Sequence, residues 1–201
     1  MTPLHHLDGW VCPIPLANID TDQLIPARFM KTPRAQGYGP YLLHDLRRDD
    51  TGALRTDWPL NSEHGQVACM LVTRKNFGGG SSREAAVYAL VDHGIRCVMA
   101  PSFGDIFASN AVNNGLLPAV VSEDTAEALL TALGQSCGQA AIDLEAQRIT
   151  LKRQSFSFDI KPHWKVKLLN GWDDIALTLS HSADIQRFRS QRQNQLPWLF
   201  P

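Results

Sequence analysis

A segment near the middle of the chain combines the groups that a small anion needs for binding. Asn76–Glu84 reads Asn-Phe-Gly-Gly-Gly-Ser-Ser-Arg-Glu and follows an apolar run that is typical of a strand. Glycine lets the backbone approach a ligand closely and can hold a positive φ angle. The unpaired N–H groups at a helix start favour an anion, and the planar fork of Arg83 fits a carboxylate with two hydrogen bonds. The segment therefore predicts a carboxylate- or phosphate-binding loop with a hydroxyl at its centre.

A plain helix cap is the competing interpretation of the same residues. Ser81-x-x-Glu84 has the spacing of a capping box, with Ser81 as the N-cap residue and Glu84 at the third helical position. A cap explains neither the three glycines nor the adjacent Ser82 and Arg83. Nucleotide motifs do not fit, because the P-loop needs a lysine after its last glycine and the dinucleotide fingerprint needs a glycine where Arg83 stands. Anion binding and helix capping therefore both remain open for Ser81.

A second polar cluster, Asp20-Thr21-Asp22, follows the first apolar run of the chain. These side chains could hold arginine side chains or meet the site residues of a partner. The competing interpretation is an Asx turn that ends a strand.

The elements around the glycine loop alternate between apolar strands and helices. The predicted strands are Val67–Val72, Ile95–Ala100 and Leu116–Val121, and the predicted helices are Glu84–His93 (stopped by Gly94), Gly104–Val112 and a helix capped by Ser122 that runs to Leu133. Strands that are apolar throughout and alternate with helices predict a parallel sheet covered on both faces. Ligands bind at the carboxyl ends of the strands in such sheets, and residues 78–83 leave a strand at that end.

The remaining segments show different patterns. Leu7–Pro15 is predicted to be a first strand, and the alternation of apolar and polar residues from Ile142 to Ile160 predicts a β-meander with one solvated face. Helical segments are expected around Trp164–Leu169 and Ser182–Gln191. The apolar tail Leu196–Phe200 is expected to dock on its own domain, and the alternative is that it covers a partner. Lys31–Asp57 is polar, aperiodic and long for a connection, so it is predicted to be a mobile or functional loop.

Composition excludes several classes of function. A chain of 201 residues with 44% apolar residues fits a single domain, residues 1–201. A net charge of −1 gives no global attraction to nucleic acid, and no apolar run is long enough for a membrane span. The first residues lack a basic start and an apolar core, so we expect no secretory signal and a cytoplasmic protein. No two of the cysteines at 12, 69, 97 and 137 have metal-ligand spacing, and Cys69 and Cys97 are predicted to be buried thiols.

Three blocks in a fixed order resemble the swivelling domain of the aconitase superfamily. Asn76–Glu84 is similar to that family's Asn-Phe-Gly-x-Gly-Ser-Ser-Arg-Glu signature, and Asn18–Phe29 is similar to its Asn-x-Asp-Thr-Asp-x-Ile-Ile-Pro-x-x-Phe signature. Asn113–Pro118 matches a third block. Length and block order most resemble the small subunits of 3-isopropylmalate dehydratases, and the resemblance covers essentially the whole chain.

The resemblance implies a fold and an activity. The implied fold is α/β, a swivel-like β/β/α domain whose partly parallel sheet is flanked by helices and extended by a β-meander. The implied reaction is a hydro-lyase isomerisation of 2-isopropylmalate and 3-isopropylmalate through 2-isopropylmaleate, in leucine biosynthesis. A larger subunit would carry a [4Fe-4S] cluster, since this chain offers no compact set of thiolates and no other metal site.

The resemblance also implies roles for individual residues. Ser81 would be the general base that takes a proton from the carbon next to a carboxylate. Ser82 and Arg83 would bind a substrate carboxylate, and Arg28, with the loop after it, would select the substrate. The residues expected to orient or line the site are Asp20, Thr21, Asp22, Gly78, Gly79, Gly80 and Glu84.

The chain departs from the family pattern inside its best block. The family usually has cysteine where Gly79 stands and His-Ala-Pro where Ala85-Ala86-Val87 stand. Two alternatives therefore stay open. One is the small subunit of a paralogous dehydratase that acts on another substituted malate, and the other is a non-catalytic anion-binding domain that retains the fold.

Overall fold

A computed structural model describes residues 1–199 of the chain. Within this range the strands form one seven-stranded sheet in the order β4-β3-β2-β1-β5-β6-β7. The strands are β1 (His6–Ile14), β2 (Met70–Thr73), β3 (Cys97–Ala100), β4 (Leu117–Val120), β5 (Gly138–Asp143), β6 (Arg148–Leu151) and β7 (Gln154–Ser157). The sheet has a parallel half and an antiparallel half that meet at β1.

The parallel half consists of β1 to β4. The apolar runs predicted that β2, β3 and β4 are parallel, and β1 joins them by parallel pairing with β2. Neighbouring strands are in register through Val11, Met70, Cys97 and Leu117. Successive residues of β2 point to opposite faces, because Leu71 belongs to one buried cluster and Met70 belongs to the other. The helices that cover these faces include α4 (Glu84–His93), α5 (Asp105–Asn113) and α6 (Glu123–Leu133).

The antiparallel half is the predicted β-meander. Strands β5, β6 and β7 continue from β1 with antiparallel pairing. In β6, Ile149 and Leu151 are buried whereas Arg148 and Thr150 are exposed. One face of the meander therefore packs on the core and the other faces solvent.

Several helix ends follow the sequence signals. Gly94 ends α4 with a φ of 106°, and the Ser122 side chain accepts a hydrogen bond of 3.0 Å from the backbone N–H of Thr125 at the start of α6. Gly171 ends α7 (Pro162–Asn170) with a φ of 68°. The predicted capping box at Ser81 is wrong, because Arg83 is the N-cap residue of α4 and no side chain caps that end.

Two further boundaries differ from the sequence prediction. Strand β2 begins at Met70, three residues later than expected, because Val67 ends a short helix, α3 (Glu63–Gln66), and is 66% exposed. The Asp20–Asp22 cluster was expected to be a turn or a set of partners for arginine. Asp20 caps a short helix, α1 (Thr21–Leu24), in a capping box with Gln23. Asp22 does pair with an arginine, Arg83, so the second expectation is confirmed for that residue.

The segment between residues 31 and 57 contains more structure than its aperiodic sequence indicated. A 3-10 helix, Ala27–Lys31, leads into it, and its first part holds two more at Arg34–Gln36 and Gly39–Tyr41 and a helical turn, α2 (His44–Arg47). Leu42 and Leu43 are fully buried, whereas residues 49–57 are exposed. The first part of the segment is thus packed on the domain, and mobility of the exposed part stays a prediction.

The last described residues are helical and lie on the outside. They form α8 (Asp174–Ser180), α9 (Ser182–Gln195) and a 3-10 turn at Pro197–Leu199, none of which buries a residue. Trp198 is 72% exposed, so the expectation that the tail docks on its own domain is wrong as far as residue 199, and Phe200 lies outside the described residues. Among the helices of this range, none is both long and apolar enough to cross a bilayer.

Candidate active site

The glycine loop is fixed between the carboxyl ends of β1 and β3. Backbone N–H groups of Phe77 and Gly78 donate to the carbonyls of Ser102 and Ile19, at 3.0 and 2.7 Å. The fully buried ring of Phe77 anchors the loop in the core and packs edge-on against the rings of Phe103 and Phe107. The loop therefore lies where the ends of parallel strands were predicted to hold a ligand.

The three glycines of the loop have different reasons to be glycine. Gly78 has a φ of 72°, and a Cβ on it would lie 2.2 Å from Cγ of Phe107. Gly80 has a φ of 92°, a conformation that L side chains rarely adopt. Gly79 does not have a positive φ, and its Cβ would approach Asn76 Oδ1 at 3.1 Å. Only the middle position could thus accept a side chain after a small movement of Asn76.

Ser81 presents its hydroxyl to solvent while its backbone is held. Its carbonyl accepts hydrogen bonds from the Arg83 N–H at 2.8 Å and from the Thr21 hydroxyl at 3.0 Å. Over residues 1–199 the Ser81 hydroxyl makes no hydrogen bond, and both Ser81 and Ser82 are exposed. An open pocket of ≈ 280 Å³ lies beside it, lined by Gly78, Gly79, Gly80, Ser81, Gly104, Asp105, Ile106 and Phe107. The arrangement leaves a free hydroxyl at the rim of a concave, backbone-rich site.

Arg83 lies at the N-terminus of α4 and pairs with Asp22. Its side chain is 23% exposed, and that of Asp22 is 54% exposed. Asp20 forms an isolated β-bridge with Gly79, and the N–H of Thr21 donates to the Gly79 carbonyl at 3.0 Å. All three residues of the N-terminal cluster therefore contact the glycine loop or Arg83, although they are far from it in sequence.

Glu84 is the first residue of α4 and is oriented from a different helix. The side-chain amide of Asn114, at the end of α5, donates to Glu84 Oε1 at 3.0 Å. Sequence reasoning identified the block that contains Asn114 but gave that residue no role. It also missed Asp105 and Ile106 of the pocket wall. The only signal for them was their place after β3, whose carboxyl end adjoins that of β2.

Arg28 is the one predicted site residue that is tied elsewhere. It forms an ion pair with Asp45, and its guanidinium stacks over Phe29 at 4.6 Å from the ring centroid. The hydrogen bond from Arg28 lowers the pKa of the Asp45 carboxyl to about 2. No described hydrogen bond joins Arg28 to residues 76–84, so its role in selecting a substrate stays a prediction.

The cysteines do not converge on this site. None of them lines the pocket beside Ser81, and Cys12 and Cys97 are buried within the core. Among residues 1–199, no group of three or more histidine, cysteine or acidic side chains could hold a metal ion. Cys69 is only partly buried, unlike its prediction as a buried thiol. The thiols of this chain do not fit the ligand set of an iron–sulfur cluster at the glycine loop.

The fold and the glycine loop place the chain in a known class of protein, the one with an aconitase-type C-terminal domain. The family model of the aconitase C-terminal domain matches residues 1–124, which contain the parallel half of the sheet and all of the glycine loop. A second model, the C-terminal domain of the 3-isopropylmalate dehydratase small subunit, matches residues 174–201.

Comparison with whole chains narrows this class. A 3-isopropylmalate dehydratase small subunit from Rhodospirillum centenum is 45% identical over 96% of this chain and 96% of its own length. The one from Caulobacter vibrioides is 44% identical over 99% of both chains. A crystal structure of 3-isopropylmalate dehydratase from Methanocaldococcus jannaschii superposes with a TM-score of 0.65 at 25% identity, covering 92% of this chain and 99% of that one. The chain belongs to the family of 3-isopropylmalate dehydratase small subunits.

Proposed function

We propose that this chain is the small subunit of a hydro-lyase that interconverts 2-isopropylmalate and 3-isopropylmalate through 2-isopropylmaleate in leucine biosynthesis. The observation that carries the proposal is the free, exposed hydroxyl of Ser81 at the rim of a pocket. Hydrogen bonds from Thr21 and Arg83 hold its backbone, so the point from which the side chain projects is fixed. Relatives that match this chain over almost their full length are named 3-isopropylmalate dehydratase small subunits, and these names support the choice of substrate.

Ser81 acts as the general base in this mechanism. In alkoxide form it takes the proton from the carbon next to a carboxylate, and the electron pair of that C–H bond forms the double bond as hydroxide leaves the adjacent carbon. Addition of water in the opposite sense gives the isomer. An alkoxide at neutral pH needs nearby donors and positive charge. The start of α4, the amides of the glycine loop and the guanidinium of Arg83 are groups of that kind.

Arg83 and Ser82 bind a substrate carboxylate. Arg83 already holds a carboxylate, that of Asp22, which is more than half exposed. A charge-assisted hydrogen bond contributes about 1.5–3 kcal/mol, whereas an exposed ion pair contributes about 1 kcal/mol or less. A substrate carboxylate that is enclosed on assembly can therefore compete with Asp22 for the guanidinium.

The other half of the active site belongs to a larger subunit. The family name of the relatives designates a small subunit, and the pocket beside Ser81 is not fully enclosed by this chain. We assign the [4Fe-4S] cluster to that larger subunit, where it would act as a Lewis acid toward the departing hydroxyl group. This chain would contribute the base and the carboxylate-binding groups.

The test is reconstitution with a separately purified, cluster-bearing large subunit. We expect the isolated chain to be inactive and the mixture to hydrate 2-isopropylmaleate. Ser81→Ala should abolish turnover while the variant still co-elutes with the large subunit, because the hydroxyl is not part of the chain's own hydrogen bonding. Ser82→Ala, one residue away and also exposed, removes a carboxylate-binding hydroxyl but leaves the base, so it should weaken substrate binding and still retain measurable turnover. Full activity of Ser81→Ala in the assembled enzyme would refute its role as the base.

A dehydratase for another substituted malate is the second candidate, because the chain has Gly79, Ala85 and Val87 where the family usually has other residues. Val87 is fully buried in the core cluster beneath α4, so that change affects packing. Gly79 lies in the pocket wall and could alter the substrate. Assaying the reconstituted enzyme on a series of substituted maleates separates the candidates. Inactivity on all of them would favour the non-catalytic anion-binding domain.

A further inference from the structure

Two cysteines that are distant in sequence meet where the parallel and antiparallel halves of the sheet join. β1 and β5 pair in antiparallel register from His6↔Asp143 to Val11↔Gly138. Cys12 and Cys137 are the next residues beyond this register, with Cys137 just before β5, so continuing the register by one residue would set them opposite each other. Residues directly opposite each other on antiparallel strands have Cβ atoms about 4.5–5.5 Å apart. A disulfide spans about 3.5–4.5 Å between Cβ atoms, so a small shift of one strand end would suffice.

Both side chains lie on the same face of the sheet. Cys12 is fully buried in the core cluster beneath α4, and Cys137 packs against that same cluster from its edge. Cys137 remains partly exposed. As a thiol it donates to the carbonyl of Pro59 at 3.6 Å, and it lies 3.9 Å from the hydroxyl of Ser62. The pair thus has an outer thiol that a small reagent can reach and an inner thiol behind it.

The surroundings of the two thiols shift their pKa values in opposite directions. The neighbouring thiol of Cys12, and to a lesser extent the hydroxyl of Ser62, favour the thiolate of Cys137, and its pKa falls to about 7 although partial burial opposes this. The same contact, together with burial, raises the pKa of Cys12. Burial raises the pKa of Cys69 and Cys97 as well. Cys137 is therefore the cysteine with the most thiolate at neutral pH.

We propose that Cys12 and Cys137 are an oxidation-sensitive dithiol, which hydrogen peroxide converts into an intramolecular disulfide. The Cys137 thiolate attacks one peroxide oxygen, the O–O bond breaks, and Cys137 becomes a sulfenic acid as hydroxide leaves and is protonated to water. Cys12 then loses its proton and attacks Cys137 Sγ, and the sulfenic hydroxyl leaves as a second water. Two thiols are oxidised by two electrons, and one peroxide is reduced to two waters.

The chain before β5 can accommodate the new bond. Cys137 precedes the strand itself and is followed by Gly138, and the turn before it contains Gly134 with a φ of 63°. Cys12, in contrast, is held within β1 and paired with Leu71 of β2. Movement of the 134–137 turn toward β1 is therefore the expected adjustment. The cross-link would also restrict the unfolded chain and raise the melting temperature.

The test is peroxide treatment of the full-length chain, followed by alkylation and peptide mass spectrometry. We expect a peptide pair linked through Cys12 and Cys137, reversed by dithiothreitol, with Cys69 and Cys97 still alkylated. Cys137→Ser should lose the linked pair and the rise in melting temperature. Cys12→Ser should leave Cys137 as a sulfenic acid that dimedone traps. The reaction rate should rise with pH through about 7, in line with the pKa of Cys137.

Cys69→Ser is the matched control, because Cys69 is also partly exposed but its thiol contacts only the backbone carbonyls of Asp8 and Trp10 through hydrogen bonds. It should give the same linked pair as the unmodified sequence. The proposal is overturned if Cys137 of the unmodified sequence accumulates as sulfinic acid without the linked pair. It is also overturned if Cys69 reacts before Cys137. The Cys12→Ser variant changes a buried residue and could fail to fold. The Cys137→Ser variant changes a partly exposed residue, so its comparison with the unmodified sequence still decides the proposal.

Discussion

Ser81 combines a restrained backbone with an unrestrained side chain. Its carbonyl accepts two hydrogen bonds, one of them from the nearly fully buried Thr21. A mere helix cap would use the serine oxygen instead, and here no side chain caps α4. One of the two donors is the Arg83 N–H, two residues away, but the other is the Thr21 hydroxyl in α1, sixty positions away in sequence. This separation explains why local spacing alone could not decide between a helix cap and a hydroxyl that makes no hydrogen bond.

Substitution of single glycines should separate the conformational requirement from the space available. Gly78→Ala combines a positive φ with a clash against the Phe107 ring, so we expect it to lower the free energy of unfolding by about 2–4 kcal/mol. Gly79→Ala has neither a positive φ nor a contact below 3.0 Å, and we expect a loss of less than about 1 kcal/mol. Urea denaturation of both variants measures the difference. Equal losses would show that the described loop conformation is incorrect.

At the scale of elements, the sequence predicted the segments that carry a clear apolar pattern or a residue that starts or ends a helix. The strands β2, β3 and β4 and the helices between them follow from apolar runs, glycine stops and a serine cap. The structure of segment 31–48 was not predicted, because 3-10 helices of three to five residues are too short to show a periodic hydrophobic pattern. Its conformation is set by long-range contacts, such as the backbone N–H of Tyr38 donating to Asp92 Oδ2 at 2.6 Å. Contacts across such sequence distances are invisible to local propensity.

The C-terminal end of α4 should make the stability of the domain depend on pH. His93 lies there beside Gly39 and Gly65, and its buried Nε2 has no hydrogen-bond partner among the described residues. Burial, and then the charge of Arg47, lowers the pKa of His93. The unfolded chain therefore binds a proton more readily than the folded one below about pH 6.5. The resulting stability is present above this pH and is lost as the pH falls toward the folded pKa.

We therefore expect the free energy of unfolding to decline between about pH 7 and pH 5 in the unmodified chain. His93→Asn should flatten this decline, because the group that must be protonated is gone. His181→Asn, at an exposed position between α8 and α9, is the matched control and should keep the decline. Urea titrations at several pH values provide the measurement. A His93→Asn variant with an unchanged pH slope would contradict the assignment.

At the scale of the whole molecule, the chain divides into a sheet domain and an external C-terminal segment. The aconitase-type family model ends at residue 124 and the small-subunit model begins at residue 174. The β-meander between them completes the sheet by pairing with β1. The segment from α8 onward is linked to the domain by a polar contact in which Lys167 meets Asn113 and Asp174. Lys167 is 2% exposed, so this contact places a positive charge almost wholly inside the protein.

The C-terminal segment should contribute to stability through that contact and not through its helices. A chain that ends after residue 181 loses α9 and the following turn, which bury nothing. We expect its free energy of unfolding to stay within about 0.5 kcal/mol of the full chain. Asp174→Ala removes the ion-pair partner of Lys167 at 2.5 Å and leaves a buried ammonium short of an acceptor. It should cost about 1–3 kcal/mol. Chemical denaturation of the two variants side by side decides the matter, because a truncated chain less stable than Asp174→Ala would mean that α9 packs on the domain.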